Sequence, residues 1–130
     1  MRLAFIGNMS VDIKRATVAI DSKDEIGESP TWDGLRERLL WADHKTGRVH
    51  EAKMVAGGVW AETRVWELGR YLAAVIPRHK GGFVAVGART IDLLEESGAC
   101  IPFARLGGQE SDVKLNDAKC DSRGRIWTGT

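Results

Sequence analysis

Apolar stretches of four or five residues alternate with turn signals along most of the chain, and their spacing is regular. One series of predicted strands ends at Asp33, Arg78 and Asp121, positions that are 45 and 43 residues apart. A second series follows it after a turn each time, and its strands begin 44 and 43 residues apart. Two independent series with one period indicate an internal repeat. The strands of the second series cover residues 38–43, 82–87 and 125–130.

Each repeat continues with two further strand-like segments in which β-branched and aromatic residues are frequent. Four short strands in about 44 residues are typical of one β-propeller blade, and no long amphipathic helix is visible. We therefore predict an all-β propeller with inner strands near residues 29–33, 73–77 and 117–121. Residues 1–130 hold two full repeats and half of a third, so we expect the N-terminal part of a single propeller domain, truncated at its C-terminus.

Composition narrows the class of partner and the compartment. The chain is 43% apolar and 28% charged, as is usual for globular proteins, and 19 basic residues balance 18 acidic ones. With a formal charge of +1, the chain lacks the excess of basic residues that is typical of proteins that bind nucleic acid or an anionic membrane. Apolar runs are too short for a transmembrane helix, and the first ten residues lack a secretory apolar region. With only two cysteines, Cys100 and Cys120, we expect a reduced, cytoplasmic protein.

Ligand sites of propellers lie at one mouth of the central channel, where the inner strands begin. Glu28, Ala73 and Asn116 occupy equivalent positions there, 45 and 43 residues apart. The carboxylate of Glu28 and the amide of Asn116 offer the oxygen ligands that hard divalent cations prefer. Both residues are equally compatible with ordinary turns before strands, so the spacing alone leaves the two interpretations open.

Other polar and aromatic residues carry weaker signals. The three histidines lie on or near predicted turns without metal-binding spacing, which favours a surface or strand-end role. The acidic pairs Asp24–Glu25 and Glu95–Glu96 are predicted to be solvated loop charges. The five tryptophans recur with the strands and are predicted to belong to the core between blades.

Several ordered motifs resemble the SMP-30/gluconolactonase/luciferin-regenerating enzyme family. The motifs are GESPTWD at 27–33, LLWAD at 39–43, GRVH at 47–50, VIPRHKGG at 75–82 and LNDAKCDSRGRIWTGT at 115–130. The resemblance covers about residues 15 to 130 and implies a six-bladed propeller, which needs roughly twice this chain at about 44 residues a blade.

The resemblance also implies an activity, the hydrolysis of sugar lactones with one divalent cation (Ca, Zn, Mg or Mn) in the channel. Glu28 matches the family's first metal ligand. Asn116 matches an asparagine that contacts the substrate and, in some relatives, the metal. Lys114 stands where many members have a substrate-binding arginine, and Ala118 replaces a usual glycine. The remaining ligands and the general base are expected beyond Thr130, so no catalytic residue is expected within this chain.

Two other functions remain open at this point. A non-catalytic β-propeller could bind protein partners through its faces, as propellers of many functions do. A related esterase or organophosphatase could use the same architecture on other substrates. Glu28 and Asn116 at the starts of inner strands favour the lactonase, because a scaffold needs no acidic ligand in its channel.

Overall fold

Short antiparallel strands dominate the part of the chain that a computed structural model describes, residues 15–108 and 112–130. The first ten residues, where no secretory region is predicted, lie outside this part. A single 3₁₀ turn, Ala56–Gly58, joins the third and fourth strands. The strands are β1 Gly27–Asp33, β2 Arg38–Asp43, β3 Arg48–Val55, β4 Val59–Glu67, β5 Leu72–Pro77, β6 Phe83–Gly87, β7 Thr90–Leu94, β8 Cys100–Arg105, β9 Ala118–Cys120 and β10 Ile126–Thr128.

The strands form two complete blades and the beginning of a third. Their sheet orders are β1-β2-β3-β4, β5-β6-β7-β8 and β9-β10. The three predicted inner strands coincide with β1, β5 and β9, and no helix crosses any of them. Neighbouring blades meet through β1 and β5, and then through β5 and β9. Within the described residues, no helix is long and apolar enough to cross a bilayer.

Turn chemistry explains why the repeat is visible in the sequence. The carboxylate of Asp33 accepts a hydrogen bond from the Leu35 amide at 3.2 Å, and that of Asp121 accepts one from the Arg123 amide at 2.9 Å. Such side-chain bonds to the backbone two residues later stabilise tight turns. The predicted equivalence of Asp33 and Asp121 is therefore confirmed as the same turn between the first and second strands of two blades.

The core lies between the blades. Trp66 and Phe83 pack edge to face with ring centroids 4.8 Å apart, which joins the first blade to the second. Their cluster also contains Leu40, Ala42, Val49, Leu72, Val75, Ala85 and Leu94, all buried. A second buried cluster joins the second blade to the third and consists of Ala73, Ala74, Ile76, Val84, Val86, Leu115 and Ala118.

The prediction for the tryptophans holds only in part. Trp66 is 5% exposed and belongs to the core between blades. Trp32 and Trp127 are 53% and 62% exposed, since they lie on sheet faces that no other described strand covers. Trp32 stacks edge to face with Trp60 at a centroid distance of 6.2 Å on the open face of the first blade.

Two of the predicted loop charges are instead built into the fold. The side chain of Asp24 is 7% exposed: one carboxylate oxygen accepts a hydrogen bond from Trp41 Nε1 at 2.8 Å, and the other lies 2.9 Å from His50 Nε2. Glu96 forms an ion pair with the buried Arg38 of the neighbouring blade. His50 itself is buried within β3 and not at a surface turn. These interpretations from the sequence were wrong because the partners lie far away along the chain.

Candidate functional site

Glu28 lies in β1, where the strand departs from regular pairing. Glu28 pairs with Ala42, but the next registered pair is Thr31 with Leu40, so the intervening residues form a bulge. Ser29, inside the bulge, adopts φ 55°. A bulge re-aims side chains, and a left-handed backbone at a non-glycine residue costs about 1–2 kcal/mol. The carboxylate of Glu28 is exposed, whereas the hydroxyl of Ser29 is buried without a hydrogen-bond partner in the described structure.

Equivalent backbone bonds hold the entries to the next two inner strands. The amide of Leu72 donates to the carbonyl of His44 at 3.2 Å, and the amide of Leu115 donates to that of Ala88 at 2.8 Å. The two donors are one repeat apart along the chain, and so are the two acceptors. Tyr71 and Lys114, the residues that precede these donors, therefore occupy equivalent positions in successive blades.

Tyr71 and Lys114 also contact each other. The ammonium of Lys114 lies 5.7 Å from the centroid of the Tyr71 ring, within the range of a cation–π interaction. The Tyr71 hydroxyl donates a hydrogen bond to the carbonyl of Leu115 at 3.3 Å. The contact thus joins the second blade to the segment that enters β9.

Glu28 acts on the same tyrosine. Burial raises the pKa of Tyr71, and the negative charge of Glu28 raises it further. The ring packs against His44 at a centroid distance of 5.3 Å, and His44 Nε2 lies 2.9 Å from the carbonyl of Ala73. Because a carbonyl only accepts, Nε2 carries the proton in this bond. Tyr71 therefore contacts one predicted site residue, Lys114, and lies within the electrostatic influence of another, Glu28.

Asn116 lies two residues after Lys114 and is exposed. The backbone N–H of Asn116 donates a hydrogen bond to the carbonyl of Gly129 at 2.9 Å, which fixes the backbone just before β9. The structure gives no contact that joins the Asn116 side chain to Glu28, so their common orientation into one channel mouth stays a prediction. Ala118, at the predicted glycine position, is buried in the second core cluster.

The donor set fits a hard divalent cation in chemistry but is incomplete. Carboxylate and amide oxygens such as those of Glu28 and Asn116 suit such a cation, which usually takes six or more oxygen ligands. In residues 15–108 and 112–130, no group of three or more histidine, cysteine, aspartate or glutamate side chains is placed to hold a metal ion. Glu28 and Asn116 alone do not complete the coordination sphere of such a cation.

Comparison with known proteins identifies the family. The model of the family SMP-30/Gluconolactonase/LRE-like region matches residues 26–130. The chain belongs to this family. The match covers both complete blades and the beginning of the third, and it includes Glu28, Tyr71, Lys114 and Asn116. The resemblance inferred from the motifs is thereby confirmed.

Two curated relatives and one solved structure illustrate the similarity. The 6-deoxy-6-sulfogluconolactonase of Pseudomonas putida is 31% identical over 108 residues, which are 81% of this chain and 35% of that protein. Regucalcin of Danio rerio is 24% identical over 111 residues, 85% of this chain and 36% of that protein. A solved structure of luciferin-regenerating enzyme superposes with a TM-score of 0.69 at 22% identity, covering 81% of this chain and 36% of that one.

These matches confirm the all-β, six-bladed propeller family fold, of which the chain covers about two and a half blades. The chain spans little more than a third of the length of the relatives that it matches. Tyr71, which contacts Lys114, was not among the site residues predicted from the sequence. Its position could have been found from the repeat, because it stands one period before Lys114 at the start of an inner strand.

Proposed function

We propose that this chain contributes to the active site of a divalent-metal-dependent sugar lactonase, within a single propeller domain that further polypeptide completes. The observation that carries the proposal is the family match over residues 26–130, which includes Glu28, Lys114 and Asn116. The contact of Lys114 with Tyr71 and the electrostatic influence of Glu28 on the same tyrosine support it. Names of relatives such as 6-deoxy-6-sulfogluconolactonase support a sugar lactone as the substrate class.

Each residue has a distinct proposed role. Glu28 and Asn116 would hold one cation (Ca, Zn, Mg or Mn), which when bound supplies Lewis-acid polarisation of a carbonyl and activation of water. Lys114 would bind sugar oxygens through its three N–H donors, and Asn116 would also contact the substrate. The general base would come from outside residues 1–130. A small neutral substrate also agrees with the balanced charge, and neither nucleic acid nor a membrane is a proposed partner.

A cytoplasmic location is part of the same proposal. Cys100 and Cys120 are both unpaired and exposed. Exposed free thiols suit a reducing compartment better than an oxidising one.

The test uses the full-length protein that the gene encodes, after a chelator has removed any bound metal. Each of the four cations is added in turn, and proton release from a panel of aldono-lactones is followed with a pH indicator. We expect hydrolysis that depends on a cation. Failure to hydrolyse any lactone with any of the cations would overturn the proposed activity.

Glu28 is tested separately by calorimetric titration of the cation into Glu28→Gln. Loss of the charged ligand should weaken cation binding by at least about tenfold, since even indirect partners of a metal site are worth that much. Glu25→Gln is the matched control, because Glu25 is exposed and forms a surface ion pair with Lys45. Equal cation affinity in the wild type and Glu28→Gln would remove Glu28 from the site.

A further inference from the structure

Lys114 has a long side chain on an exposed segment, so its ammonium needs a fixed neighbour if it is to meet a substrate in one place. Lysine is a flexible point charge and lacks the planar fork by which arginine orients itself on an oxygen ligand. The contact that the structure provides is the face of Tyr71, 5.7 Å from Nζ to the ring centroid. The aromatic face is attractive to a cation and leaves the outward N–H donors available.

The ring of Tyr71 is itself held from several sides. Its hydroxyl donates to the carbonyl of Leu115, and its face meets His44 at an interplanar angle of 63°. His44 is in turn buried and fixed by the carbonyl of Ala73. These contacts hold the half-buried ring in one orientation, with Lys114 over its face.

The bond to Leu115 has a second consequence. Leu115 follows Lys114 directly. Tyr71 therefore makes two contacts with this segment: its hydroxyl is hydrogen-bonded to the backbone of Leu115, and its ring lies under the ammonium of Lys114. Ring and lysine therefore keep their relative position although they belong to successive blades.

We propose that Tyr71 is a positioning residue for ligand binding, which aims the ammonium of Lys114 at a hydroxyl oxygen of the lactone or a carboxylate oxygen of its aldonate product. This inference rests on the proposed lactonase function and assigns a role to a residue that the family's matched motifs leave unassigned. Tyr71 acts through Lys114 and touches no reacting atom. Because the ammonium is aimed in the same way before and during reaction, the effect belongs to binding and not to the chemical step.

The kinetic test compares Tyr71→Phe with Tyr71→Leu in the protein as its gene encodes it. Phenylalanine keeps the aromatic face, whereas leucine removes it. A cation–π contact near the surface is worth a factor of about two to five. Tyr71→Leu should raise KM for the lactone, and the inhibition constant of the aldonate product, by about that factor with kcat unchanged. Tyr71→Phe keeps the aromatic face and loses only the hydroxyl bond to Leu115, so it should raise KM by less than Tyr71→Leu.

A double-mutant cycle with Lys114→Met shows whether Tyr71 acts through the lysine. If it does, Tyr71→Leu adds no further loss of affinity in the Lys114→Met background. Independent, additive losses would overturn the positioning role while leaving the lactonase function standing. A fall in kcat with Tyr71→Leu, matched by Tyr71→Phe, would likewise overturn it. If the leucine variant does not fold, Tyr71→Met takes its place.

A second readout needs no activity. After reductive methylation with labelled formaldehyde, the dimethyl-lysine signal of Lys114 is assigned by its disappearance in Lys114→Arg. It should be shifted upfield by the ring current in the wild type and Tyr71→Phe, and return to the ordinary position in Tyr71→Leu. An unshifted signal in the wild type would overturn the contact even if lactone hydrolysis is found. A shifted signal without any hydrolysis would retain the contact and reject the lactonase.

Discussion

Glu96, in the turn after β7, forms an ion pair with Arg38 of the first blade at 2.6 Å between Oε1 and Nη2. Arg38 is buried, where Asp33 and Glu51 also pair with it, and its guanidinium lies over the Phe83 ring at 4.8 Å. Glu96 additionally accepts the amide of Gly82 at 3.1 Å. The turn of the second blade thereby completes a charge cluster that begins in the first.

We expect Glu96→Gln to lower the free energy of unfolding by about 1–2 kcal/mol. Losing one partner of a fully buried pair costs more, but Glu96 is 40% exposed on its side chain and Arg38 keeps two carboxylates. The control is Glu95→Gln, which breaks a pair with the partly exposed Arg78 instead of the buried Arg38 and should cost less than about 1 kcal/mol. Urea unfolding of both variants measures the difference, and equal losses would argue against a special role for Glu96.

The pH dependence of this pair has a defined sign. Hydrogen bonding to Arg38 lowers the pKa of Glu96 below its ordinary value of 4.5. The contribution of Glu96 to stability is therefore complete above pH 4.5 and is lost as the pH falls below it toward the folded-state pKa. The stabilities of the wild type and Glu96→Gln should converge in that acid range. A gap that stays constant on acidification would show that the charge of Glu96 is not what stabilises the blade interface.

Gly47, in the turn between β2 and β3, permits a close approach of two backbones. Its φ is +73°, and a Cβ at this position would lie 2.0 Å from the carbonyl oxygen of Arg70. Gly47→Ala should therefore cost about 3 kcal/mol or more, through both the left-handed backbone and the clash. Gly57 has φ +83° but nothing within 4 Å of a Cβ, so Gly57→Ala should cost only about 1 kcal/mol. Similar losses in thermal unfolding would mean that conformation alone explains both glycines.

Asp43 ties the segment before β1 to the turn after β2. Burial alone would raise the pKa of its carboxyl, but hydrogen bonds from the Thr46 hydroxyl and the amides of Glu25 and Ile26 hold it well below the usual range. Asp43→Asn puts an NH₂ group among donors and should destabilise the protein by about 1.5–3 kcal/mol. Faster hydrogen exchange at the amides of Glu25 and Ile26 should accompany the loss. Asp21→Asn, at an exposed position, is the control and should change neither quantity.

The repeat could be predicted from the sequence because the contacts that define it are local. The carboxylates of Asp33 and Asp121 each accept a hydrogen bond from the backbone amide two residues later. The turn residues that make this bond are therefore close together in the sequence and recur once in each of these repeats. Asp24 shows the opposite case. Besides the nearby hydroxyl of Ser22, it meets Trp41 and His50, which are 17 and 26 residues away. Those two distant contacts follow no local pattern, so its burial could not be predicted from the sequence.

The candidate site also contains residues that could be predicted from the sequence and contacts that could not. Glu28, Lys114 and Asn116 could be proposed because repeat spacing and the family motifs mark the starts of inner strands. The role of Tyr71 depends on a contact between blades, and repeat spacing shows only that it is equivalent to Lys114, not that the two touch. The common orientation of Glu28 and Asn116 depends on side-chain geometry that sequence spacing does not determine.

Tyr71 offers a direct measure of how close Glu28 lies, because it is the one tyrosine among residues 1–130. Burial and the charge of Glu28 raise its pKa above the ordinary value of 10.0. Glu28→Gln removes the charge, so the pKa of Tyr71 should fall, whereas Glu25→Gln should leave it unchanged. The measurement is the near-ultraviolet absorbance of tyrosinate during alkaline titration, taken as the difference from Tyr71→Phe. An unchanged titration midpoint in Glu28→Gln would place the carboxylate away from Tyr71 and separate the two residues that the proposed site brings together.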